Sequence, residues 1–258
     1  MTDLAAAAGL LRELHRPTLV LANVWDAATA RLAEDAGFSA IATSSHAIAD
    51  AFGVADTDVL GPDRAFAAVG AIASAVSVPV TADLEAGYAL PPDELVERLL
   101  AAGAVGCNLE DTDHHGDQVL VDAEAQAARI AAVKDAGRTA GVDLVVNART
   151  DAYARRLGTP GEQLEESLRR GRLYRRAGAD CVYPILVADP AAITTLVAEL
   201  KTVNVMSFSG GPSIEELRAL GAARVTVGSG LARVAMKAFS RAAERLLAGE
   251  ASWWSCGS

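Results

Sequence analysis

A chain of 258 residues that is 51% hydrophobic can bury one large core, and it fits a single barrel-sized domain over residues 1–258 better than two small ones. Its formal net charge of −10, with no run of Lys or Arg to offset it, repels a phosphate backbone and excludes nucleic acid as an expected partner. No stretch is apolar for long enough to span a bilayer, the first residues lack the basic start and apolar centre of a secretory signal, and Cys107, Cys181 and Cys256 are too few and too dispersed for a disulfide framework. A cytoplasmic protein without a membrane partner is expected.

In chain order, short β-rich runs occur at 18–22, 39–43, 78–83, 105–110, 143–149, 180–185, 204–208 and 224–227. Amphipathic stretches alternate with them at 27–36, 92–101, 123–136, 163–177 and 214–220. Eight βα repeats in this length predict an α/β fold, a (β/α)8 TIM barrel. Gly37, Gly103 and Gly178 follow three of the helical stretches, where glycine closes a helix in a left-handed turn. No G-x-G-x-x-G follows the first strand, so nothing supports a dinucleotide-binding open sheet.

A barrel builds its active site at the C-terminal ends of its strands. Those ends read Asn23 and Asp26, Thr43-Ser44-Ser45-His46, Asp83 and Glu85, Glu110 and Asp111, Asn147, Arg149 and Asp151, Tyr183, Ser207 and Ser209, and Ser229. Asp83, Glu85 and Glu110, with Asp56 in the loop after the second strand, converge carboxylates that repel one another unless a cation sits among them. Oxygen-only ligands select a hard ion, magnesium before manganese. Arg149 and Asn147 share one face of their strand. The arginine there pairs with a substrate carboxylate or phosphoryl group, or with one of the acids, and both can hold. The hydroxyls and N–H groups of Thr43, Ser44 and Ser45 offer a turn for an anion. His114 and His115, after the fourth strand, are candidates for a general acid or base, the alternative being a plain polar loop. Cys107 has the opposite parity to Glu110 and is expected to pack outward as a small hydrophobe.

Taken together, residues 37–45, 53–56, 82–88, 108–111 and 147–151 resemble the isocitrate lyase/phosphoenolpyruvate mutase superfamily over nearly the whole chain. The resemblance implies a magnesium site centred on Asp83 with Asp56, Glu85 and Glu110, and a 2-oxo or enol acid chelating the metal. It also implies a carboxylate-holding turn at Ser44 and Ser45, an active-site arginine at Arg149, and a homo-oligomer, dimer or tetramer, that swaps its last helix, here 231–247. Two departures stand out. The chain lacks the Lys-Lys/Arg-Cys-Gly-His loop of the family's lyases, and 111–118 holds neither the lysine nor the asparagine of the mutases' gating loop. Glu85 also stands where aspartate is frequent.

The leading expectation is a lyase or decarboxylase that makes or breaks a C–C bond through a metal-bound enolate. Its close rival is phosphoenolpyruvate mutase or phosphonopyruvate hydrolase chemistry at a C–P bond. A reading of another class is a non-catalytic 2-oxo acid binding protein. A Schiff-base aldolase is excluded, because Lys134, Lys201 and Lys237 all fall off the predicted strands.

Overall fold

A computed structural model describes residues 3–56, 59–112, 114, 120–252 and 254. Its strands are β1 (Leu19–Val20), β2 (Ala22–Val24), β3 (Ile41–Thr43), β4 (Val80–Asp83), β5 (Gly106–Leu109), β6 (Val145–Thr150), β7 (Cys181–Pro184), β8 (Asn204–Met206) and β9 (Arg224–Thr226). Each predicted strand contains or overlaps an observed one. β1 and β2 are two parts of one stave, separated by Leu21. From β2 to β7 each strand pairs in parallel with the next, β9 pairs in parallel with β8 and β1, and a parallel bridge between Val182 and Val203 joins β7 to β8. The ring therefore closes as a (β/α)8 barrel.

The helices are α1 (Leu4–Glu13), α2 (Ala27–Asp35), α3 (Ser45–Ala51), α4 (Pro62–Ala73), α5 (Pro92–Ala101), α6 (Ala123–Thr139), α7 (Pro160–Arg176), α8 (Pro190–Leu200), α9 (Ile214–Ala219) and α10 (Gly230–Leu247). Their starts follow local chemistry. Proline opens α4, α5, α7 and α8, where its missing N–H has no partner to lose. α7 begins three residues before the amphipathic pattern does, because Thr159 and Glu162 close a reciprocal capping box around Pro160. Helices α2, α5 and α7 run into Gly37, Gly103 and Gly178 at φ 94, 83 and 99°, as their sequences predict.

Apolar side chains fill the space between strands and helices, while the barrel interior is polar, with Thr81, Asn108, Asn147, Asn204, Arg224 and Thr226 all buried. α1 closes the N-terminal end of the barrel with a fully buried Leu11. Gly106 is required there, since a Cβ would lie 2.8 Å from the Val145 carbonyl and 2.9 Å from Leu11 Cδ2. Cys107 is fully buried under the helices, as its parity predicts, and burial pushes its thiol up to about 12. α10 differs from the other long helices. Ala232 is its buried residue, whereas Val234, Met236, Phe239 and Leu247 are exposed.

Candidate active site

The C-terminal ends of β3 to β6 bring the candidate residues to one mouth of the barrel. Asp83 ends β4, and its N–H donates to Thr43 Oγ1 at 2.8 Å. Its carboxylate Oδ2 accepts from the Ser45 N–H at 3.2 Å and from Ser45 Oγ at 3.0 Å, and its Oδ1 faces Asn108 Nδ2 at 3.4 Å. The turn expected to hold an anion thus holds a carboxylate of the chain itself. Ser44 has a different task, because its Oγ accepts from the Ala47 N–H and caps α3. Asn147 reaches the same group through Asn108, donating from Nδ2 to Asn108 Oδ1 at 2.7 Å, while its own Oδ1 is buried without a partner.

Arg149 lies between two acids. Its Nε and Nη2 donate to the two oxygens of Asp151 at 2.6 and 3.1 Å, and Nη1 pairs with Glu110 Oε2 at 2.6 Å. Burial opposes its charge, but Asp151 and Glu110 hold the guanidinium more firmly protonated than a free arginine. Burial likewise lifts the carboxyl of Glu110 above the usual range, against the pull of Arg149 and a hydrogen bond to His114. Glu85 is buried at a left-handed φ of 52°, in a loop where Tyr88 and Ala89 are left-handed too. Such strain concentrates at functional sites. His114 Nε2 lies 4.0 Å from Glu85 Oε2, so one imidazole touches two of the proposed ligands. His115 lies outside the described residues.

Asp56 sits at the edge of this group. Its Oδ2 is 3.3 Å from His46 Nδ1, while Oδ1 is buried and unpaired. Burial and then the neighbouring charge of Asp83 raise its carboxyl. Among the described residues no set of three or more His, Cys, Asp or Glu is already arranged around one point as a metal cage.

Asp151 and Asp111, both at strand ends in the sequence, have partners that the sequence does not specify. Asp151 shares the parity of Asn147 and Arg149, and that period of two was the signal for its contact with the guanidinium. Asp111 follows Glu110 at the strand end, yet its parity turns it away from the mouth, outward to α7. There it is fully buried, accepting from Arg170 Nη1 at 3.1 Å, Tyr174 Oη at 2.7 Å and the Asp151 N–H at 2.9 Å. This buried ion pair supports Asp151 from behind, and through it Arg149.

A crystal structure of phosphoenolpyruvate phosphomutase from Streptomyces platensis subsp. rosaceus superposes with a TM-score of 0.83 at 32% identity, covering 94% of this chain and 88% of that one. Phosphonopyruvate hydrolase of Variovorax sp. (strain Pal2) is 36% identical over 165 residues, 59% of this chain and 54% of its own. Oxaloacetate decarboxylase 2 of Pseudomonas fluorescens (strain Pf0-1) is 28% identical over 214 residues, 80% and 71%. The family model described as phosphoenolpyruvate phosphomutase matches residues 11–247, and the chain belongs to that family.

Proposed function

We propose that this protein is a metal-dependent lyase or decarboxylase that makes or breaks a C–C bond of a small 2-oxo or 2-hydroxy acid through an enolate, the C3–C4 bond in a 2-oxo diacid and the bond beside the hydroxyl carbon in a 2-hydroxy acid. The observation that carries the reading is Asp56, whose buried, unpaired oxygen lies beside Asp83 and whose charge is opposed by it. Carboxylates in that position fit magnesium or manganese, with Asp83, Glu85 and Glu110 as the other candidate ligands. Such an ion, when bound, supplies positive charge to the oxygen that becomes negative as the bond breaks.

The chain's own groups do the rest. Ser45 holds the Asp83 carboxylate in place with its N–H and hydroxyl, and the Arg149 fork suits a substrate carboxylate once Asp151 shares it. In a decarboxylation the C3–C4 electron pair passes to the enolate, CO2 leaves, and C3 takes a proton. His114, hydrogen-bonded to Glu110, is the described group suited to deliver it. The electrostatics favour C–C over C–P cleavage. A phosphonate dianion entering among Asp56, Asp83, Glu85, Glu110 and Asp151 meets more repulsion than the monoanionic C4 carboxylate of a 2-oxo diacid, which then leaves as neutral CO2.

Pyruvate release from oxaloacetate and from branched 2-hydroxy diacids, compared with phosphate release from phosphonopyruvate, tests this choice. Phosphate release without pyruvate release from the diacids would reverse it. Metal-dependent exchange of pyruvate methyl protons with solvent deuterium separates an enzyme from a 2-oxo acid binding protein, which binds without exchange.

The exposed apolar face of α10, with Trp254 beyond it 66% exposed, supports a homo-oligomer in which α10 packs on a second copy. Light scattering should give a dimer or tetramer, and Phe239→Glu should dissociate it. Among the described residues no helix is long and apolar enough to cross a membrane, and the free buried thiols of Cys107 and Cys181 suit a reducing cytoplasm.

A further inference from the structure

The opposite, N-terminal end of the barrel carries a cavity of about 610 Å³ lined by Arg12, His15, Arg16, Arg175, Asp180 and Lys201 among others. No run of basic residues announces it, because its cations come from three separate segments of a chain whose net charge is −10. The one acid among these six is already neutralised. Asp180 receives Arg12 Nε at 2.8 Å and Lys134 Nζ at 3.0 Å, and both cations also pair with Asp143, so the charge left for a ligand comes from Arg16, Arg175 and Lys201. Arg175 and Lys201 spend hydrogen bonds on the carbonyls of Ala179, Asp180 and Ala198, which satisfies donors but leaves the charges in place. Arg16 is exposed and makes no ion pair among the described residues.

A second observation is independent of charge. His15 is 6% exposed, and its Nδ1 lies 2.9 Å from the Leu11 carbonyl, which can only accept, so Nδ1 carries the proton. Nε2 is then a lone-pair acceptor, and it is buried without a partner in a residue that lines the cavity. Beneath it, Arg224 is fully buried with Nε and Nη1 unpaired. Burial first, and then the charge of Arg224, keep the ring neutral.

We propose that this cavity is a second binding site, for a small polycarboxylate that also carries a hydroxyl. The spread cations meet the carboxylates, and the hydroxyl donates to His15 Nε2. Arg12, His15 and Arg16 precede β1, Asp180 precedes β7, and Lys201 precedes β8, so the site lies at the far end of the barrel from Asp83 and Arg149. It is separate from the reaction.

Calorimetry on the full chain in metal-free buffer, with citrate and with tricarballylate, tests the proposal, since the two differ by one hydroxyl. Citrate should bind more tightly than tricarballylate, by about tenfold for a hydrogen bond to a buried acceptor. The Arg16→Ala, Lys201→Ala double variant, altered only at exposed side chains, should weaken citrate at least about tenfold. His15→Phe, which fills the ring's place and offers no acceptor, should abolish the preference for citrate, and Arg149→Ala should leave citrate binding unchanged. No citrate binding, binding lost in Arg149→Ala but kept in the double variant, or equal binding of the two acids by the wild-type protein would each overturn it.

Discussion

The two ends of this barrel solve the same electrostatic problem in opposite ways. At the C-terminal mouth, Asp56, Asp83, Glu85, Glu110 and Asp151 crowd around Arg149, whose guanidinium is shared by two of them. At the N-terminal end, Arg12, Arg16, Arg175 and Lys201 surround Asp180, with Arg224 buried behind them. Excess negative charge at the mouth suits a cation and a substrate that bridges it to the arginine. Excess positive charge at the base suits a polyanion and takes no part in bond cleavage. An acidic protein with two poles of opposite sign thus separates chemistry from whatever binds below.

The largest effect should come from the mouth. Asp83→Ala removes the carboxylate that Ser45 and Asn108 orient, and metal-dependent turnover should fall at least about 10³-fold, or about 4 kcal/mol. Asp83 adds little to the apolar core, so circular dichroism and the thermal midpoint should stay close to wild type. Full activity in this variant would remove Asp83 from the proposed metal site.

The support behind the mouth comes next. Arg170→Ala strips the buried Asp111 of its cation, a change that costs about 3–5 kcal/mol when one partner of a buried pair is removed. Urea unfolding should show that loss, and a change of below about 1 kcal/mol would mean that Tyr174 and the Asp151 N–H suffice for Asp111. Arg149→Lys tests the fork itself. A point charge cannot meet both Asp151 oxygens and a substrate carboxylate, so kcat/KM should drop about 10²-fold, and a loss below about tenfold would deny it a clamping role.

Much of this was legible in the sequence. The alternation of β-rich runs with amphipathic stretches marks all eight staves, and parity places Glu110, Asn147 and Arg149 inward and Cys107 outward. What stayed hidden depends on contacts between distant segments. Arg170 lies on the face of α7 that also carries Ser167 and Tyr174, but arginine on an amphipathic helix reads as a solvent residue until Asp111 is seen behind it. Arg224 opens its strand and reads as a flank, yet the closure of β9 on β1 and β8 seals it inside. The basic cavity is invisible for the same reason, since residues 12–16, 175 and 201 meet only when the barrel closes.

The smallest predicted effect probes the base through acid. His15 is held neutral, its pKa lowered to about 4 by burial first and then by Arg224, against the Leu11 carbonyl and Asp180, which pull it upward. In the unfolded chain it titrates at the ordinary value of 6.5. Between those values the unfolded state binds the extra proton, so this contribution to stability is complete above about pH 6.5 and is lost as pH falls toward 4. From pH 7 to pH 5 the loss from this one group is about 2 kcal/mol, or about 4–8 °C in the thermal midpoint of a chain of this size. His15→Gln cannot titrate and should flatten that part of the acid slope; an unchanged slope would show that the ring is not held neutral. Tricarballylate places carboxylates near the same ring without offering it a hydroxyl, and so favours the imidazolium. At saturation it should raise the folded pKa and reduce the acid loss in the wild-type protein, with no such effect in His15→Gln. That difference would tie the titration of His15 to the occupancy of the cavity.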